Sequence, residues 1–447
     1  MKTILRFRKL IVAFTFLVSL HTSINGYSQI PTLSDDWIGN NVHEMDIDSR
    51  DNLGFLKNEI GDKRIVFLGE ATHEDGATFE VRTKIVEFLM EEMDFDVILF
   101  EAGMFDLMQA NKEFQTTGDS ESIKKALWGF WRTQQWQSFY SFIEQRKAAG
   151  NNIEFAGFDC KFSSAYGFDN NNYSRFWETI FQERNPAILK NENFTNYIAV
   201  WKDIESGYKK TGMKGALAKM RYKMSEKEKQ SFRNLSSWMA DQLKKAGENK
   251  LAQLLKSNDE GIIAYSGTRL WKLILNRKSF LPINYRRDEL MADNLRHLLS
   301  EVYPNKKVIV LGATYHFIRN NQSIDPIKIK FIPIHEAVIA GNLIYEQFAN
   351  QIYTIGFTSY DGEYGLLRKG KKGVAVKTPE ANSLEHQLAN RGVKQAFVSL
   401  RQSLNEPFFS NGTSLRLFDH SSDVTSKNWH QVLDAVYFIK TMQPLRD

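Results

Sequence analysis

Four short apolar runs constrain this chain more than any other feature. RIVFLG (64–69), FDVILF (95–100), NIEFAGF (152–158) and KKVIVLG (306–312) are rich in Val, Ile and Phe and end at Gly or at an acid. Such near-continuous runs predict strands buried on both faces, as in sheets covered by helices on each side. Amphipathic stretches separate the first three. Between about 165 and 300 strand-like runs almost vanish, and no Pro stands between Pro186 and Pro282. That stretch is rich in Lys, Glu, Leu, Ala and Met and predicts helices, with Trp201, Trp238 and Trp271 as anchors. Later, YTIGFTSY (353–360) followed by Asp361-Gly362 predicts a strand entering a tight hairpin. The expected class is α/β, a central parallel or mixed sheet flanked by helices, with a largely helical insertion at about 165–300. Nine Pro and 27 Gly in 447 residues leave no room for an extended linker, and no internal repeat is visible.

The first residues have a different character. Lys2, Arg6, Arg8 and Lys9 precede the apolar run Leu10 to Leu20, and Gly26 and Ser28 then stand at the −3 and −1 positions before Gln29. This predicts a signal peptide over 1–28 and a mature chain of 29–447 that is periplasmic or secreted. The apolar run is too short to span a bilayer, and no later stretch reaches that length. The formal charge of +5 drops to about +1 without those four cations, so no global field for nucleic acid is expected. One cysteine, Cys160, excludes an internal disulfide and the CxxC zinc motifs, and it has no adjacent reactive motif.

In open α/β sheets, ligands bind beyond the carboxyl ends of the strands. Glu70 and His73 follow the first run, Glu101 the second, Asp159 the third, and His316 closes Ala313-Thr314-Tyr315-His316 after the fourth. If these strands are parallel neighbours, three carboxylates and two imidazoles share a pocket. Glu70 to Glu101 suits one βαβ unit. In the helix between them, Phe79, Val86, Leu89 and Met93 share one face, and Arg82 lies on it too. Periodicity alone slightly favours an arginine whose head escapes to solvent; the other reading pairs it with Glu70 and Glu101. A histidine near neutral pH can deprotonate water, with a carboxylate holding its tautomer. Metal ligation by the same residues stays open, although HExxH, the P-loop and GxGxxG are absent. The basic cluster Arg368, Lys369, Lys371 and Lys372 is expected to be a solvated turn.

GEATHEDGATFEVR (69–82) and VILFEAG (97–103) resemble the opening of the erythromycin esterase family. WGFWRTQQ (128–135), FAGFDC (155–160), RRDELMADNL (286–295), VIVLGATYH (308–316), YTIGFTSYDGEY (353–364) and NSLEHQL (382–388) resemble further family segments in order. The resemblance implies a hydrolase of macrolide lactones or other esters, acting on a small molecule without a cofactor or bound metal. It implies His73 as general base, Glu70 as its partner, and Glu101 and Arg82 as groups that position water and stabilise charge. His316 would contact substrate or protonate the leaving alcohol, and Asp159, Tyr315 and Arg287 would line the substrate. The family's usual first His of a His-Asn-x-His segment is Ala313 here, and Gln135 stands where a Glu is common. Two other readings follow from these departures and from the pocket's chemistry: a metal- or haem-binding protein using the same His/Glu set, and a catalytically degenerate scaffold or glycan binder. The wider set of similar haem- or iron-binding lipoproteins carries a lipid-anchor Cys that this chain lacks.

Overall fold

The computed structural model describes residues 31–45, 50–168, 172–210, 223–266, 280–367 and 372–447. The expected signal segment, Trp271 and the basic residues Arg368, Lys369 and Lys371 lie outside them.

The four apolar runs form strands β2 (Ile65–Leu68), β3 (Val97–Gly103), β4 (Glu154–Asp159) and β5 (Val308–Leu311). With β1 (Val42–Glu44), β6 (Ile352–Tyr364), β7 (Gln395–Ser399) and β8 (Ala435–Met442) they build one sheet in the order β1-β7-β8-β6-β2-β5-β3-β4. A two-residue strand, Val374–Ala375, adds to β6 and makes the ninth member. From β8 to β4 every pair is parallel, whereas β7 is antiparallel to both of its neighbours, β8 and β1, so the sheet is mixed.

Strand alternation explains the apolar runs. Ile65, Phe67, Val97, Leu99, Val308 and Val310 enter one core, and Val66, Leu68, Ile98, Phe100, Ile309 and Leu311 enter the other. Both faces are buried, so neither can be polar. The second core packs under α1 (Gly76–Glu92) and α3 (Gln137–Ala148). The first packs under the inserted helices α4 (Asn172–Arg184), α5 (Glu192–Lys210), α6 (Glu226–Lys245), α7 (Asn249–Tyr265) and α8 (Leu281–His297), while α2 (Met104–Thr117) gives Met104 and Phe105 to this core and Leu107, Ala110 and Phe114 to the other. All five inserted helices lie between β4 and β5 in the chain, which is the expected insertion. Trp201 is fully buried there and Trp238 is half-buried.

The expected hairpin at Asp361-Gly362 is not formed. β6 continues through both residues to Tyr364, pairing Asp361 with Thr441 and Gly362 with Met442. Gly362 has φ +97°, and a Cβ there would strike the Met442 backbone. The dipeptide's left-handed freedom therefore serves a close strand approach rather than a turn.

Candidate active site

Register decides where the chemistry meets. Leu311 pairs with both Leu68 and Phe100, so β2 and β5 end at the level where β3 stops pairing with β5 and runs on through Glu101 to Gly103. The β2–α1–β3 unit skips one strand, and β5 fills the gap. Glu70, the 313–316 turn and Glu101 are therefore side by side.

Glu70 is fully buried between two partners. One oxygen meets His73 Nδ1 at 2.5 Å, and the other accepts from Arg82 Nη1. Arg82 is itself fully buried, so it does not carry its head to solvent as periodicity alone favoured. An apolar stripe accommodates it because Glu70 balances its charge and the Trp131 and Phe79 rings lie 5.0 and 5.4 Å from the guanidinium carbon. Burial lowers its pKa, opposed chiefly by Glu70, and an arginine in that state is still a cation. Among the described residues its Nε and Nη2 have no hydrogen-bond partner. Gly69 admits this geometry, because a Cβ there would collide with Thr314.

The His73 side chain remains 40% exposed, with its ring stacked on Phe130 at 4.5 Å and 4°. Desolvation pulls its pKa down; the hydrogen bond and charge of Glu70, aided by Glu101, outweigh that and raise it. Nδ1 is committed to Glu70, which leaves Nε2 as the group able to meet water.

A second charge cluster sits beside the first. Glu101 is placed where the β3–β4 register shifts, between Phe100 and Gly103, and such irregularities re-aim side chains. Its carboxylate accepts from Ala313 N at 2.9 Å and from Arg287 Nη2 at 2.6 Å, and lies 3.4 Å from His316 Nε2. Gly312 leaves room for it: a Cβ would stand 2.9 Å from Glu101 Oε2. Burial raises the Glu101 pKa, but His316 and Arg287 hold it well below the usual carboxylate range. Arg287 also donates to Asp159, 2.8 Å from Nη2 and 3.2 Å from Nε. Asp159 is fully buried and is held far below its ordinary value by Arg287 and Lys161 against the effect of burial. It braces Arg287.

His316 is nearly buried, with Nδ1 2.8 Å from Asp288 Oδ1. Burial lowers its pKa, but Asp288 and Glu101 carry it to about 9. Tyr315 stands next to it, 5.0 Å ring to ring, its hydroxyl accepting from Asn284 at 3.0 Å. All eight residues singled out from the sequence fall on this end of the sheet.

Two charged site residues escaped the sequence reading. Asp288 follows Arg287 on α8, the last inserted helix, and periodicity gives no sign that this helix returns to the strand ends. Lys161 follows β4; its ammonium is 3.4 Å from Asp159 and lies near the rings of Tyr265 and Trp128, 5.9 and 6.0 Å away. Four carboxylates (Glu70, Glu101, Asp159, Asp288) thus interleave with four cationic groups (Arg82, Arg287, Lys161, His316). Among the described residues no group of three His, Cys, Asp or Glu side chains is arranged to hold a metal ion. The carboxylates here are occupied by arginines and histidines. Gln135 lies outside the cluster: it accepts from Arg446 N at 3.1 Å and ties down the C-terminal segment. Cys160 is buried. Among the described residues no helix is long and apolar enough to cross a membrane.

The site thus gathers acids and histidines at the carboxyl ends of parallel strands in an α/β fold with a helical insertion, and sequence comparison gives the family of the chain. Residues 90–442 match the erythromycin esterase family, and the chain belongs to that family. The matched span includes Glu101, Asp159, Arg287 and His316; Glu70, His73 and Arg82 precede it. A putative hydrolase of Bacillus subtilis, YbfO, is 24% identical over 382 residues, covering 83% of this chain and 82% of its own. The type II erythromycin esterase of Escherichia coli is 21% identical over 372 residues, covering 79% and 84%. Solved structures share the fold. An erythromycin esterase mutant in an open conformation superposes with TM-score 0.61 at 16% identity, covering 88% of this chain and 95% of that one. A succinoglycan biosynthesis protein gives 0.68 at 18%, covering 92% and 97%.

Proposed function

We infer that this family hydrolase cleaves a carboxylic ester or lactone of a small molecule by general-base activation of water, and that it acts outside the cytoplasm after loss of residues 1–28. The observation that carries the reading is the Glu70–His73 pair. Its carboxylate is fully buried and braced by Arg82, while the imidazole is half-exposed with one nitrogen free of Glu70. A buried carboxylate fixes the tautomer and stabilises the imidazolium as the ring takes a proton. Arg82 serves Glu70 rather than the substrate. The cations beside Glu101, Arg287 and His316, are suited to the charge that develops on the carbonyl oxygen. His316, protonated at neutral pH, is suited to return a proton to the leaving alcohol. The relative named an erythromycin esterase makes a macrolide lactone the first substrate to try.

The test is mass spectrometry of erythromycin and a panel of simple esters and lactones after incubation with wild type, His73→Ala and Glu70→Gln. Hydrolysis of at least one compound is expected, with the His73 variant slower by about 10²–10⁴-fold. Full activity in His73→Ala removes this mechanism.

A further inference from the structure

We propose that the segment Trp128–Trp131 is a positioning device for the site, and that Phe130 sets the plane of the His73 ring. This rests on His73 being the base. One hydrogen bond fixes Nδ1 as a point and leaves the ring free to swivel about it, because the second side-chain torsion of histidine is broad. With 40% of the His73 side chain exposed, ordinary packing does not cage the ring either. The parallel face of Phe130, 4.5 Å away, supplies the missing constraint.

Phe130 can do this because its own segment is pinned. Tyr140 Oη donates to Trp131 O at 2.7 Å, Thr133 Oγ1 to Phe130 O at 3.1 Å, and Arg132 Nη2 to Leu127 O at 2.8 Å. Its ring also meets Phe79 edge-on at 6.4 Å and Trp131 at 5.7 Å. The contacts close into a circuit. His73 touches Glu70, Glu70 touches Arg82, Arg82 lies over Trp131, and Trp131 adjoins Phe130, which returns to His73. A swivel of the base about Nδ1 therefore loses the face of a ring that its neighbours hold in place. The face also favours the imidazolium over the neutral ring, since an aromatic face attracts a cation. That interaction strengthens as the proton is taken, so it belongs in kcat and not in KM.

The experiment compares Phe130→Leu and Phe130→Tyr with wild type and His73→Ala, using 4-nitrophenyl butyrate as probe, with thermal melts to confirm folding. Stacking and cation–π contributions of the usual size predict about a tenfold lower kcat in the leucine variant, with KM little changed. The tyrosine variant is expected within about twofold of wild type, because it restores the face. A second readout needs no turnover: NMR of the His73 ring protons, assigned by their absence in His73→Ala. These protons should be shifted upfield by the Phe130 ring in wild type and tyrosine variant and should lose that shift in the leucine variant. Equal kcat in the leucine variant and wild type, or equal loss in both variants, overturns the proposal where His73→Ala is inactive. Unshifted ring protons in wild type overturn it whether or not the probe is cleaved. An active His73→Ala with shifted, Phe130-dependent ring protons instead refutes the base assignment and leaves the positioning of the ring standing.

Discussion

His316 offers a prediction whose size follows from geometry. Its ring sits between Asp288 at 2.8 Å and Glu101 at 3.4 Å, and those charges lift its pKa from 6.5 to about 9 despite burial. A histidine whose folded pKa exceeds its unfolded value contributes stability that is whole below about 6.5. The contribution is lost as pH rises through about 9. The gap between 6.5 and about 9 corresponds to roughly 3 kcal/mol. One neighbour opposes this: Arg287 Nη1 lies 3.2 Å from Nε2, and a neutral ring would accept a hydrogen bond there. The two carboxylates outweigh it, because Arg287 is already engaged by Glu101 and Asp159. His316→Asn keeps a donor toward Asp288 without the charge. Urea unfolding of both proteins from about pH 6 to about pH 10 should show the wild-type advantage shrinking by roughly 3 kcal/mol, centred between the two pKa values. An NMR titration of His316 should find its midpoint near 9. Parallel stability curves, or a midpoint below 6.5, would refute the charge assignment and restore the neutral, arginine-bound ring.

Further outcomes follow from the same contacts. The acid limb of kcat/KM should report His73 with a midpoint above its ordinary 6.5, and Glu70→Gln should move that limb to lower pH while reducing the plateau. Arg82→Met strands a fully buried carboxylate; urea melts should show a loss of about 3–5 kcal/mol, with activity falling in parallel. In the insertion, Asp259 is fully buried, accepts from Trp201 Nε1 at 3.0 Å and Tyr197 Oη at 3.1 Å, and is pushed by burial from 3.8 to about 8. The folded state therefore loses stability as pH rises from 3.8 through about 8, so Asp259→Asn should melt higher than wild type by a margin that widens across that range.

The strands were legible because burial on both faces leaves a continuous apolar run, and their ends were legible because the chemistry follows them directly. What stayed hidden depended on contacts distant in sequence. Spacing put Arg82 on the core face of α1, but only Glu70, twelve residues away and across a turn, makes full burial tolerable. Asp288 looked like one acid among many on a helix. It became part of the site when α8 packed back toward the strand ends. Asp361-Gly362 carried a strong local turn signal, yet β8 lies close enough that Gly362 is needed within the strand. Asp159 lies at the strand end where it was expected, and the partner it meets there, Arg287, comes from a helix that joins the site only through the fold. Phe130 lay in a segment noted only for family likeness, and no periodicity marks a ring that stacks on a loop histidine.

The central claim is that His73, held by Glu70, activates water for attack on an ester carbonyl. The most direct test is hydrolysis in ¹⁸O-enriched water of erythromycin and the ester and lactone panel, followed by mass spectrometry of the products. Wild type should place the label in the new carboxylate, with a lactone gaining one water and an open-chain ester giving labelled acid and unlabelled alcohol, and a folded His73→Ala should do so about 10²–10⁴-fold more slowly. Equal labelling by the His73 variant, or no hydrolysis of any panel member by the folded wild type, would contradict it.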